Sequence, residues 1–198
     1  YTYATAIVFE VKVDGTVEVK GVTAPNNEIT MVDDYLPNGV LISKVDLLGQ
    51  ELEGADLVVT GTEDGGSAIN PITWSSDGKA AKQLDLKPGK YTLTETAAPD
   101  GYIIATAIDF TVKPDGSVEV DGIQAPGNKI EMVDDTTKVS VSKTDITGGN
   151  EIEGAHLVVT DYEGVVVDQW DSTTTPHLIE GKLVAGKKYT LTETQAPD

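Results

Sequence analysis

Residues 108–120 read IDFTVKPDGSVEV. Ile108, Phe110 and Val112 alternate with polar Asp109 and Thr111, the period of two that turns one strand face toward a core. Val118 and Val120 alternate in the same way around Glu119. Asp115-Gly116 lies between the two runs and tolerates the positive backbone angles of a tight connection, so the stretch predicts a β-hairpin. A second copy stands near the start of the chain, with Asp14-Gly15 in the link. No segment combines a sustained 3.6-residue period with helix caps. The fold class expected is all-β, with short strands and turns building a sandwich in each unit of about 100 residues.

The unit recurs. Residues 1–34 match residues 102–135 at about two positions in three. Residues 42–100 match 141–198 through SKVD/SKTD, ELEGADLVVT/EIEGAHLVVT and YTLTETAAPD/YTLTETQAPD. This internal repeat is permuted, and only one full unit is present. The expected organisation is residues 1–35 as the last strands of a divided module, 36–135 as a complete module, and 136–198 as the first part of another. The chain opens in mid-pattern and reads as a fragment. The linkers at 35–39 and 136–138 are short, which favours an extended string of modules.

Composition narrows the function classes. The chain has 198 residues, no cysteine and a formal net charge of -19. That acidity opposes nucleic acid and anionic membranes as partners, since both select basic patches, and its ordinary meaning is solubility. Without cysteine there is neither a disulfide framework nor a thiolate metal site. No stretch approaches the roughly 20 apolar residues of a membrane span. His156 and His177 lack a companion ligand pattern and read as surface or edge residues. Trp74 and Trp170 occupy equivalent places, where packing in a core or groove is expected. Acidic turns such as Glu63-Asp64-Gly65-Gly66 do not have the spacing of a calcium loop.

Three short runs carry a charged residue where the alternation asks for an apolar one. Lys44 continues the face of Val40 and Ile42, Glu95 that of Tyr91 and Leu93, and Asp134 that of Ile130 and Met132. The same trio recurs as Lys143, Glu193 and Asp33. An amine and two carboxyls aimed into an apolar interior are costly as isolated charges, so they either neutralise one another or react. Desolvation disfavours the charged form of both kinds of group, which turns an ammonium into a nucleophile and a carboxylate into an acid.

At these residues the chain resembles the Cna B-type, or prealbumin-like, domains of Gram-positive pilins and adhesins. The resemblance rests on Ser43-Lys44-Val45-Asp46, Glu53-Gly54-Ala55, Pro88-Gly89-Lys90-Tyr91 and the run from Thr94-Glu95-Thr96 to Asp100-Gly101-Tyr102. Ala105-Thr106-Ala107-Ile108, Phe110-Thr111-Val112 and Met132-Val133-Asp134 are most similar to the fibronectin-binding-protein module behind the SpyTag/SpyCatcher pair. The resemblance implies an isopeptide bond between a first-strand lysine and a last-strand Asn or Asp, promoted by a buried glutamate. Carried to this chain, the crosslink joins Lys44 to Asp134 with Glu95 as catalytic acid. In the divided copy it joins Lys143 to Asp33 with Glu193. Asp135 and Asn128 compete as acceptors, and parity with Ile130 and Met132 selects Asp134. No cofactor or metal is needed, and each module reacts once, so the chain is not an enzyme with turnover.

The function expected is a structural stalk or fibre module of a surface adhesin or pilus, outside the cell and attached to the wall of a Gram-positive bacterium. Copies of the chain are expected to join head-to-tail, completing the divided module. Two rival readings stand beside it: an adhesin domain recognising a host extracellular-matrix protein or glycan, and an engineered split tag–catcher polymer.

Overall fold

A computed structural model describes residues 6–32 and 38–197. Among them the chain is built of β-strands, with single 3-10 turns at Pro25–Asn27 and Pro126–Asn128. The all-β sandwich expected from the alternation is the fold observed.

The complete module holds β4 (Asn38–Asp46), β5 (Glu53–Glu63), β6 (Ile72–Asp77), β7 (Lys82–Leu86), β8 (Gly89–Ala97), β9 (Ile108–Val112), β10 (Val118–Val120), β11 (Ile123–Gln124) and β12 (Lys129–Asp134). One sheet has the order β11-β10-β9-β8-β5-β6 and the other β12-β4-β7. The first strand, β4, lies in the middle of the small sheet, antiparallel to β7 and parallel to the last strand, β12. Alternate residues of both sheets meet in one core: Val40, Ile42, Leu84, Ile130 and Met132 from the small sheet, with Leu57, Val59, Leu93, Phe110 and Val112 from the large one. Each such side chain contributes about 1.5–3 kcal/mol through burial. Tyr91 stacks on Phe110 with ring centroids 5.5 Å apart.

The predicted hairpin is β9–β10, with Phe110 opposite Val120 and Val112 opposite Val118. Gly116, at φ +92, closes its link by donating to the Lys113 carbonyl at 3.0 Å. That φ is the left-handed region where a side chain is strained, which is why glycine follows the aspartate here.

Two further groups of strands flank the complete module. Near the start, β1 (Phe9–Val11), β2 (Val17–Val19) and β3 (Val22–Thr23) form a meander equivalent to β9–β11. After the complete module come β13 (Lys138–Val141), β14 (His156–Thr160), β15 (Val166–Asp171), β16 (His177–Glu180) and β17 (Thr190–Gln195). These pair as β13-β16 and β15-β14-β17, the pattern of β4-β7 and β6-β5-β8. Among the described residues, no strand covers the side of β17 that β9 covers on β8, and none pairs with β13 as β12 pairs with β4.

The joint between the complete module and the part that follows is hydrogen-bonded. The Thr137 N–H donates to the Gly101 carbonyl at 2.8 Å, and the Gly181 N–H donates to the Thr137 carbonyl at 2.9 Å. The Thr137 hydroxyl donates to the Leu183 carbonyl at 2.6 Å.

Candidate functional site

Strand β4 carries Val40, Ile42 and Lys44 on one face, and all three side chains are buried. In the parallel pairing with β12, Met132 stands opposite Lys44, so Asp134 lies one step along the same inner face. From the facing sheet, β8 brings Tyr91, Leu93 and Glu95 inward. The structure therefore brings Lys44, Glu95 and Asp134 together inside the apolar core.

Lys44 Nζ lies in direct contact with Asp134 Oδ1 and 3.5 Å from Glu95 Oε1. Lys44 Nζ, Glu95 Oε1 and both Asp134 oxygens are fully buried and have no hydrogen-bond partner among the described residues. The ionic contacts of Lys44 leave most lone pairs and protons of the trio without a hydrogen bond, and each buried polar group so left costs about 1–3 kcal/mol. Burial pushes the Glu95 carboxyl above its usual range, and the neighbouring Asp134 pushes the same way. The Ala105 N–H and the Lys44 charge oppose this without cancelling it. The net displacement is toward the acid form, relative to a solvated glutamate.

The second oxygen of Glu95 is held by a group that alternation does not reveal. The β8–β9 ladder ends at the Leu93–Ile108 pair, and residues 103–107 run on without regular pairing. This frees the Ala105 N–H to donate to Glu95 Oε2 at 2.7 Å. Ser43, beside Lys44 and also buried, donates from its hydroxyl to Glu51 Oε1 at 2.6 Å.

The rival acceptors are occupied elsewhere. Asp135 accepts from Lys138 Nζ at 2.7 Å and from the Thr136 N–H at 2.7 Å, facing outward. Asn128 staples the β9–β10 link, donating to the Gly116 carbonyl at 2.9 Å and accepting from the Val118 N–H at 3.2 Å.

In the divided copy, Lys143 Nζ lies 3.5 Å from Glu193 Oε1, and both side chains remain partly exposed. The third member of that trio, Asp33, lies outside the described residues. The Lys143 N–H donates to Glu151 Oε2 at 2.9 Å.

His177 is more than the surface residue its lack of ligand spacing implies. It stacks on Trp170 with centroids 4.1 Å apart and meets buried Asp168 at 3.0 Å. Lys182 donates to the same carboxylate at 2.7 Å. Burial alone would push the Asp168 carboxyl up, but the hydrogen bonds from Lys182 and His177 hold it below the usual range. His156 fits the edge reading, half-exposed and 2.6 Å from Asp171. Trp74 packs half-buried against the core and lines a cleft of about 330 Å³ with Ile42, Lys44 and Ala81.

The chain matches the family model described as SpaA, prealbumin-like fold domain, over residues 38–125 and 137–198. No curated protein sequence is significantly similar to it. Among solved structures, a C-terminal fragment of pilus adhesin SpaC from Lactobacillus rhamnosus GG is 20% identical, with a TM-score of 0.45, over 82% of this chain and 76% of that one. The Bacillus anthracis TIE protein is 24% identical, with a TM-score of 0.45, over 82% of this chain and 29% of that one. The pilus-presented adhesin Spy0125 (Cpa) is 36% identical over 44% of this chain and 19% of that one, with a TM-score of 0.39. The chain spans less than a third of each of the last two.

Proposed function

The chain belongs to the family of SpaA prealbumin-like fold domains, and from that premise we propose that it is a load-bearing stalk module of a Gram-positive surface adhesin or pilus, locked by self-made Lys–Asp isopeptide bonds. The observation that carries this reading is the direct contact of Lys44 Nζ with Asp134 in a buried site beside Glu95. Lys44 first passes a proton to the Asp134 carboxylate, and its amine then attacks Asp134 Cγ. Glu95, in its acid form, donates its proton to the departing Asp134 hydroxyl, which leaves as water, and takes back the proton that the amine sheds. An ammonium and a carboxylate become one amide and one water, and Glu95 ends as it began. The fold supplies the proximity, which for well-oriented groups is worth effective molarities of about 10⁵ M or more.

The bond joins the first strand to the last. Tension that enters at one end of the module then passes through covalent bonds and bypasses the sandwich. The bonded joint at Thr137 suits the same task, because it limits free swivelling between units. Closeness to the fibronectin-binding module of the SpyTag/SpyCatcher pair, attachment to the cell wall and self-modification without turnover belong to this reading too.

The divided copy extends it to head-to-tail joining. Residues 139–198 of one copy would receive the first strands of another, with Lys143 and Glu193 meeting Asp33. The exposure of Phe9, Val11 and Met31, whose equivalents are buried in the complete module, supports this.

Proteolysis followed by tandem mass spectrometry tests the first bond. A branched peptide joining the Lys44 and Asp134 segments is expected, and it should vanish in Glu95→Gln. Linear peptides alone from the unaltered chain would refute the reading. For the junction, denaturing gels of concentrated protein should show a ladder of resistant multimers, whereas strict monomer at every concentration would remove head-to-tail joining.

A further inference from the structure

We propose that the backbone N–H of Ala105 is a positioning group for amide formation, fixing which oxygen of Glu95 faces the reacting pair, and that it reaches Glu95 only when the last strand is seated. The inference rests on the isopeptide reading and adds to it a group with no side-chain chemistry of its own.

The geometry is specific. Glu95 Oε2 accepts from the Ala105 N–H at 2.7 Å, while Oε1 faces Lys44 Nζ at 3.5 Å and has no other partner. The final torsion of a glutamate side chain is broad and nearly two-fold, so an unheld carboxyl would present either oxygen. A carboxylic acid carries its proton on one oxygen, and a peptide N–H binds the other, the carbonyl-like one. Holding Oε2 therefore leaves the acidic proton on Oε1, on the side of Lys44 and Asp134.

The same segment is tied to the strand that brings the acceptor. Ile103, two residues earlier and so on the same side of an extended chain, donates its N–H to the Asp135 carbonyl at 3.0 Å. Residues 103 and 105 thus clip onto the acceptor strand and the catalytic acid in turn. Before β12 is in place the Ile103 N–H lacks its acceptor, and the clip on Glu95 has no anchor. Reaction is thereby confined to a module whose final strand has docked.

The test replaces Ala105 by lactic acid during cell-free synthesis of the full chain. The resulting ester lacks the N–H but keeps the methyl group. Pulse-labelled chains are quenched in denaturant at intervals and weighed, across a pH series. Amide formation at least tenfold slower is expected. Because the Ala105 N–H lowers the Glu95 pKa, the pH at which the acid form is lost should also shift upward, which a purely structural role would not produce. A rate within twofold of the unaltered chain, with an unshifted profile, would overturn the inference while leaving the isopeptide reading intact. Absence of the amide in the unaltered chain would overturn both. Should the ester fail to fold, hydrogen exchange decides: in Glu95→Ala the Ala105 amide should exchange at least tenfold faster with Ile103 unchanged, and equal protection of Ala105 would overturn the proposal.

Discussion

Phe110 and Phe9 hold equivalent places in the two copies of the repeat, yet Phe110 is 3% exposed and Phe9 53%. The lysines follow suit, with 1% of the Lys44 side chain exposed and 25% of Lys143. The two regions share their motifs almost letter for letter and differ in which strands cover them. In the complete module, β9 closes β8, β12 closes β4, and the charged trio is sealed among apolar side chains. In the divided copy the lysine and glutamate meet at the same 3.5 Å, but in contact with solvent. Solvent screens the attraction between the two charges. Burial, more than residue identity, separates the sealed trio from a surface ion pair.

The largest effect that tests this contrast is at the lysines. Lys44→Met substitutes an apolar side chain of similar length and should abolish the proposed crosslink around a loop of about 90 residues, worth about 4–5 kcal/mol in the chain-entropy account. Lys143→Met, at a partly exposed pair, should stay within about 0.5 kcal/mol. Urea unfolding of both variants gives the two numbers, and equal losses would break the comparison.

Next come the phenylalanines. Phe110→Ala should cost about 3–5 kcal/mol through the cavity it leaves. Phe9→Ala should change monomer stability by no more than about 0.5 kcal/mol. A loss at Phe9 that appears only as protein concentration rises would sharpen the contrast, because it would show the exposed face being covered by another copy.

The smallest effect concerns Asp168. Its equivalent in the complete module is apolar Ile72, by the matched pairings Val159–Asp168 and Val59–Ile72. Lys182 and His177 hold the folded carboxyl below its unfolded value near 3.9. Its stabilisation is therefore complete above about pH 4 and is lost as pH falls through the lower folded value. Asp168→Asn should cost about 1–3 kcal/mol at neutral pH and flatten the acid limb of the residues 138–197 transition followed by Trp170 fluorescence. An unaltered acid limb would show that the Lys182 and His177 contacts of Asp168 do not stabilise the fold.

Much of this was legible in the sequence. Parity alone placed Lys44, Glu95 and Asp134 on inner faces, because a strand's period of two leaves no choice once Ile42, Leu93 and Met132 are inside. Asp115-Gly116 likewise marked its hairpin. The Ala105 N–H was not legible, since every residue but proline carries one and only the end of the β8–β9 ladder frees this one. Nor was the Asp168–His177–Lys182 cluster, which depends on how β15 and β16, from different sheets, come to face each other. Asn128 shared the parity of the acceptor strand, but its left-handed backbone, at φ 57, turns it to the hairpin instead.

The most direct measurement is the intact mass of the unaltered chain under fully denaturing conditions. The account predicts a mass one water below that of the linear sequence for the monomer, with the full mass restored in Glu95→Gln. A monomer at the full linear mass, refolded and incubated at neutral pH, would contradict it.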